Sequence, residues 1–197
     1  MLNLAILGSG NGNTLIPIVN AIKNKKLNAK IVIIISDCIN AGILKKATKF
    51  QIKKKYILSK NKEMRKDFDK KIHLELQKHK LDLIVMIGYM RIVSHWFIKK
   101  WKNRIINVHP SLLPKYSGLM DLQVHKAVLK AKEKKTGCTV HFVEKNVDTG
   151  YVLKQASCSI LKNETPESLK IKIQKLEGKT LINVINEIQT NNYFNLN

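Results

Sequence analysis

Asn107 and His109 stand two residues apart in the stretch Asn107-Val108-His109-Pro110-Ser111-Leu112-Leu113-Pro114. The apolar run Ile105–Val108 reads as a strand, and residues two apart on an extended strand share one face. A neutral amide donor and a titratable imidazole are therefore presented together, at the C-terminal end of a strand, where open α/β sheets build their sites. Asp148 lies in Val147-Asp148-Thr149-Gly150. It is either an Asx-type turn residue or a partner of His109; in the second case it orients the imidazole and raises its pKa. Amide, imidazole and carboxylate together suit acyl or formyl transfer, with two donors for a developing oxyanion and a carboxylate to manage the departing proton. No Ser or Cys occupies a nucleophile elbow, so direct transfer without a covalent intermediate is expected.

A second group is the loop Gly8-Ser9-Gly10-Asn11-Gly12-Asn13-Thr14. Closely spaced glycines let backbone N–H groups approach an anion, and the N-terminus of a following helix adds partial positive charge. A dinucleotide fingerprint would need glycine where Asn13 stands, and no Lys-Ser/Thr pair makes a Walker loop. A phosphate monoester fits, with Asn13 and Thr14 as side-chain donors; the alternative is a tight turn that needs φ > 0.

Apolar patterning supplies the elements that must carry these groups. Leu2–Leu7, Ile31–Ile35, Leu83–Ile87 and Ile105–Val108 are short apolar runs of the kind that form buried parallel strands, and Lys55–Leu58 is a weaker edge strand. Helical spacing marks Asn13–Lys23, Ala41–Lys49, Met64–His79 and Val124–Ala131. The last third adds strands Cys138–Val143 and Tyr151–Ile160, then a long helix Pro166–Ile188 with Thr165 as N-cap and Pro166 in the first turn. The expected fold is α/β: a Rossmann-like open, mostly parallel sheet flanked by helices, with a C-terminal antiparallel strand pair and a long closing helix. Residues 1–190 read as one domain of ordinary size and 191–197 as a polar tail, with fraying expected from Thr190 onward.

Composition narrows the classes. The 197 residues are 44% hydrophobic and 25% charged, ordinary for a folded domain. The net charge of +22, from 36 Lys+Arg against 14 Asp+Glu, is not. Such a field draws polyanions and phosphorylated small molecules alike. Yet only Arg65, Arg91 and Arg104 are arginines and aromatics make up 6%, whereas a nucleic-acid groove uses Arg forks and stacking rings. The lysines are spread along the chain like an AT-rich codon bias on solvated faces, so no nucleic-acid partner is expected. Cys38, Cys138 and Cys158 have no CxxC spacing and predict neither a zinc site nor a disulfide framework; they read as small buried residues. The N-terminus lacks signal-peptide character and no apolar run approaches membrane-spanning length. A cytoplasmic protein, monomeric or a weak homodimer, with no metal and no membrane partner is expected.

The segments Ser9–Leu15 (S-G-N-G-x-x-L), Gly88–Ile92 (G-Y-M-R-I), Asn107–Tyr116 (N-V-H-P-S-L-L-P-K-Y), Thr136–Val143 (T-G-C-T-V-H-F-V) and Val147–Gly150 (V-D-T-G) occur in that order. Together they resemble the phosphoribosylglycinamide formyltransferases, folate-dependent enzymes of purine synthesis, over essentially the whole chain. The resemblance implies formyl transfer from 10-formyltetrahydrofolate to the amine of glycinamide ribonucleotide. It places Gly12, Asn13 and Thr14 on the ribonucleotide phosphate and Gln174 and Glu177 on its ribose. Met90, Arg91, Ile92 and Val93 would line the pteridine pocket, Arg65 would meet the folate, and the Glu144–Asp148 loop, with Val147, would wall the pterin. Asn107 and His109 would hold the formyl oxygen, and Asp148 would pair with His109 and relay the amine proton through water. His141 is expected to be buried in a strand and His125 to pack near the site.

The chain departs from the family at Asn13-Thr14, where Ser-Asn is usual, at Met120-Asp121-Leu122-Gln123, and after Glu177, where Gly178 stands in the closing helix. A helical glycine costs about 1 kcal/mol and is expected to loosen the Glu177 contact. Two similar families are methionyl-tRNA formyltransferase, which shares the Asn-x-His-x-Ser-Leu-Leu-Pro and Asp-Thr-Gly elements, and formyltetrahydrofolate hydrolase. Each carries a further domain, and on length neither is expected. A non-catalytic basic RNA-binding protein is the alternative from another class.

Overall fold

Strand β1 (Leu2–Leu7) alternates cleanly: Leu4 and Ile6 face one layer of the core, Ala5 and Leu7 the other. A strand apolar on both faces belongs in the middle of a covered sheet, and β1 lies there. In the computed structural model, which describes residues 1–191, it pairs in parallel with β2 (Ala29–Ser36) on one side and β4 (Leu83–Met86) on the other. The seven strands run β3-β2-β1-β4-β5-β6-β7. β3 (Lys54–Tyr56) is the short, lysine-bearing edge, a form that discourages edge-to-edge pairing. β5 (Ile105–His109) is parallel to β4, whereas β6 (Lys135–Phe142) and β7 (Val152–Ser159) continue the sheet antiparallel.

One face is covered by α1 (Leu15–Lys23), α2 (Gly42–Lys49), α5 (Leu122–Lys130) and α6 (Pro166–Asn191), the other by α3 (Arg65–Leu76) and α4 (His95–Lys100). The chain leaves β1 toward β2 and later crosses to β4 on β1's other side. The sheet's switch point is therefore between β1 and β4, where ligands of open α/β sheets bind.

Differences from the sequence-derived elements have local causes. α4 was not foreseen: it is a short helix anchored by the fully buried Phe97 and capped by Ser94, whose Oγ accepts the Phe97 N–H. α3 stops at Leu76, short of the expected His79, and β3 at Tyr56. α6 runs through Thr190, where fraying was expected; the tail at 192–197 lies outside the described residues. Its start is a reciprocal box, with Ser168 N–H donating to Thr165 Oγ and Thr165 N–H to Ser168 Oγ, so two orphan donors are satisfied at once. The cysteines are free, but only Cys138 is buried; Cys38 is exposed, correcting that expectation.

Gly178 faces α1, and the neighbouring Glu177 keeps its hydrogen bond from Thr14. A Cβ there would lie 2.2 Å from Pro17 Cγ on α1, so the glycine is what lets the two helices approach. Among the described residues, no helix is long and apolar enough to cross a membrane.

Candidate active site

A cavity of about 370 Å³ opens at the switch point, walled by the glycine loop, the segments after β4 and β5, the β6–β7 connection and α6. At its base the expected trio converges. His109 Nδ1 lies 3.2 Å from Asp148 Oδ2, and Nε2 lies 3.1 Å from the Tyr116 carbonyl oxygen. Two oxygen acceptors bracketing one imidazole favour a proton on each nitrogen. Burial opposes this and wins: the His109 pKa is held below the ordinary value, with Asp148 pulling it up and His141 pushing it further down. The upward pull expected of Asp148 is there, but desolvation outweighs it and sets the net direction. Asp148 adopts a left-handed backbone, φ 57, and accepts the Gly118 N–H at 2.9 Å.

Sheet register adds a fourth member. Asn107 is paired with His141 across β5–β6, and His109 with Thr139. Asn107 Nδ2 is 3.2 Å from His141 Nε2, and His141 Nδ1 is 2.8 Å from the Phe142 carbonyl oxygen. With Nδ1–H donating to that carbonyl, Nε2 accepts from the Asn107 amide. Burial keeps His141 below its ordinary pKa, and its Nε2 lies 3.6 Å from Asp148 Oδ1. Thr139 fixes the loop beyond β5: its hydroxyl donates to Ser111 O at 2.7 Å and accepts the Leu113 N–H at 3.0 Å. Ser111 in turn donates its hydroxyl to the carbonyl oxygen of Lys115, the residue before Tyr116, whose carbonyl faces His109.

On the glycine-loop side, Gly12 has φ 65 and a Cβ would sit 2.5 Å from Ile43 Cγ1, so the loop needs glycine for both conformation and close approach. The backbone N–H groups of Asn13 and Thr14 have no acceptor among the described residues. Their side chains reach α6: Thr14 Oγ1 donates to Glu177 Oε2 at 2.7 Å and Asn13 Nδ2 to Gln174 Oε1 at 3.1 Å. Burial pushes the Glu177 carboxyl up to about 7, with Thr14 and Lys170 acting against it.

The opposite side is apolar. Met90 and Ile92 are 39% and 38% exposed on the cavity wall, while Val93 is buried. Ser9 braces this segment, donating to Asp37 at 2.6 Å and accepting the Met90 N–H at 2.9 Å. The Arg91 guanidinium lies 3.9 Å over the Phe68 ring. Glu144 and Val147 complete the wall. Arg65, at the exposed start of α3, is outside the cavity lining. No three His, Cys, Asp or Glu side chains among the described residues are grouped to hold a metal ion.

A formyl transferase family model matches residues 2–185. The chain belongs to that family. Phosphoribosylglycinamide formyltransferase of Bacillus subtilis is 31% identical over 188 residues, 95% of this chain and 95% of that one. The trifunctional purine biosynthetic protein adenosine-3 of Chironomus tentans is 39% identical over 178 residues, 88% of this chain; the chain spans 13% of that protein's length. The crystal structure of glycinamide ribonucleotide transformylase 1 from Symbiobacterium toebii superposes with a TM-score of 0.88 at 31% identity, covering 94% of this chain and 86% of that one.

Three features of this formyl transferase site were not anticipated. His141 was expected only as a buried strand residue. His125, expected to pack nearby, lines the cavity with its Nδ1 buried and unpartnered, its pKa pushed down to about 4 by burial. Lys170 and Asp121 form an ion pair on the cavity wall. Strand alternation on β6 carried part of the signal: Cys138, Val140 and Phe142 belong to the core, leaving Thr139 and His141 on the other face.

Proposed function

We propose that the chain transfers the formyl group of 10-formyltetrahydrofolate to the primary amine of glycinamide ribonucleotide, a step of purine synthesis. The observation that carries this is the Asn107–His141–Asp148–His109 cluster, its two histidines buried and its amide and carboxylate half-buried, between a polar, anion-suited wall and an apolar one. The ribonucleotide phosphate is assigned to Gly12, Asn13 and Thr14 and its ribose to Gln174 and Glu177. The pterin is assigned to Met90, Arg91, Ile92 and Val93, with Glu144 and Val147 over it. Arg65 is assigned to the outer, exposed end of the folate. The apolar slot and its flanking backbone suit a flat heteroaromatic ring.

The folate, when bound, supplies an activated formyl carbon. Asn107 donates an amide N–H to the formyl oxygen as it gains charge, and His109 adds its Nε2–H by exchanging the Tyr116 carbonyl oxygen for the formyl oxygen; such donors commonly supply about 10²–10³-fold. Asp148 orients the imidazole and accepts the amine proton through water. As the new C–N bond forms, the formyl carbon's bond to N10 of the folate breaks, and the proton is returned to that nitrogen, so that tetrahydrofolate leaves neutral at N10. His141 fixes the Asn107 amide so that its other N–H faces the cavity.

The decisive experiment supplies purified protein with 10-formyltetrahydrofolate, with and without glycinamide ribonucleotide, and follows formylation. Product that requires both substrates is expected. Formate release without the acceptor would indicate a hydrolase, and no turnover with steeply salt-dependent RNA binding would indicate the RNA-binding alternative; either overturns the proposal.

A further inference from the structure

The glycine-loop corner of the cavity is acidic for a place assigned to a phosphate. Glu177 is buried there, and Asp121 forms the N-cap of α5 beside it. The cations of the cavity wall are Arg91, Lys145 and Lys170. Arg91 is stacked on Phe68 on the apolar side, and Lys145 is on the exposed β6–β7 connection. Lys46 binds the Asn11 carbonyl from outside the wall. Lys170 remains. It precedes Gln174 by four residues and Glu177 by seven, a spacing that sets all three on one helical face, and all three line the cavity. Its ammonium is paired with Asp121, whose side chain is half exposed. The groups facing this corner are Thr14 at the start of α1, Asp121 at the start of α5 with His125 within it, and Gln174 and Glu177 from α6 itself; Cys138, behind Glu177 in the core, adds no charge.

We propose that Lys170 is the counter-ion of the ribonucleotide phosphate, and that Asp121 is the anion that holds it in place until the phosphate arrives. The physical case is charge balance. A phosphate dianion beside the Asp121 and Glu177 carboxyl groups, with no cation in reach, would be repelled. The loop offers N–H groups, and the cation bound to it, Lys46, is committed to the Asn11 carbonyl outside the cavity lining. On entry the phosphate takes the Lys170 ammonium, and the half-exposed Asp121 carboxylate turns to water, where it is solvated at little cost. The residue thus makes the site selective for a phosphomonoester over an uncharged sugar. This rests on the assignment of the ribonucleotide phosphate to Gly12, Asn13 and Thr14.

The test uses inorganic phosphate as a probe of the full chain, read as the rise in melting temperature with phosphate concentration. It is paired with KM values for glycinamide ribonucleotide and for the formyl donor. Losing one charge-assisted contact should weaken phosphate binding, and raise the ribonucleotide KM, by about 10-fold or more in Lys170→Met, with the donor KM unchanged and Lys170→Arg restoring most of the affinity. Asp121→Asn, which keeps the size and shape of the side chain at a residue with φ 50 and ψ −128, should tighten phosphate binding by freeing the lysine. Phosphate binding by Lys170→Met within twofold of wild type overturns the proposal. Weakening in Asp121→Asn equal to that in Lys170→Met overturns the exchange of partners. Wild-type protein that binds phosphate through Lys170 but formylates nothing would leave this inference standing while the proposed activity falls. Wild-type protein blind to phosphate removes the loop assignment and this inference together.

Discussion

The two walls of the cavity are built on opposite plans. The wall from the glycine loop to α6 is already occupied by its own polar groups: Thr14 is spent on Glu177, Asn13 on Gln174, Lys170 on Asp121. The wall after β4 leaves Met90 and Ile92 partly in water, braced from behind by Ser9, the Arg91–Phe68 stack and the Ser94 N–H on Asp69. A ligand on the first wall must exchange one set of hydrogen bonds for another, so net gain depends on charge and geometry. A ligand on the second gains by covering apolar surface, about 25 cal/mol per Å². The difference teaches where selectivity and where bulk affinity should be found.

The largest expected effect strikes the group between the walls: His109→Ala should lower kcat by about 10²-fold or more without altering either KM in proportion, as steady-state kinetics would read. On the polar wall, Thr14→Val strands a buried carboxyl. It should cost about 1–3 kcal/mol in urea unfolding and raise the ribonucleotide KM while sparing kcat. Gly178→Ala separates helix propensity from packing. Propensity alone would stabilise by about 1 kcal/mol, but the Cβ 2.2 Å from Pro17 should make the variant less stable by about 1–3 kcal/mol. A stabilised variant would show that α1 and α6 are not locked together.

Glu177 gives the polar wall a pH signature. Its carboxyl is raised from 4.5 to about 7, so the folded protein keeps a proton that the unfolded chain has released across that window. Its contribution to stability is full below pH 4.5 and lost as pH rises through about 7. The melting temperature of wild type should therefore fall between pH 5 and pH 8 more than that of Glu177→Gln. The smallest effect belongs to the apolar wall: Ile92→Ala should raise the donor KM roughly fivefold, the worth of about 1 kcal/mol of contact, and leave the ribonucleotide KM alone.

Much of this was legible in the sequence because it is local. The apolar runs gave the central strands, the paired offset of Asn107 and His109 gave their common face, and Thr165-Pro166 gave the start of α6. What was hidden depends on partners distant in the chain. Nothing near His141 announces that β6 will pair antiparallel with β5 and set it opposite Asn107. Nothing near Gly178 announces Pro17, and a glycine inside a helix is read as a cost until the neighbouring helix is in view. The sign of the His109 shift depended on burial, which spacing does not report. α4 was missed because one Phe and a Ser cap are too little periodicity to detect.

The left-handed backbone of Asp148 has a consequence for anyone surveying substitutions there. Only glycine, asparagine and aspartate take that conformation cheaply; other side chains pay about 1–2 kcal/mol before their chemistry is considered. A library at this codon would thus sort on two axes, abundance and turnover. Asparagine and glycine would be well expressed yet idle, and alanine, often taken as neutral, would confound the two.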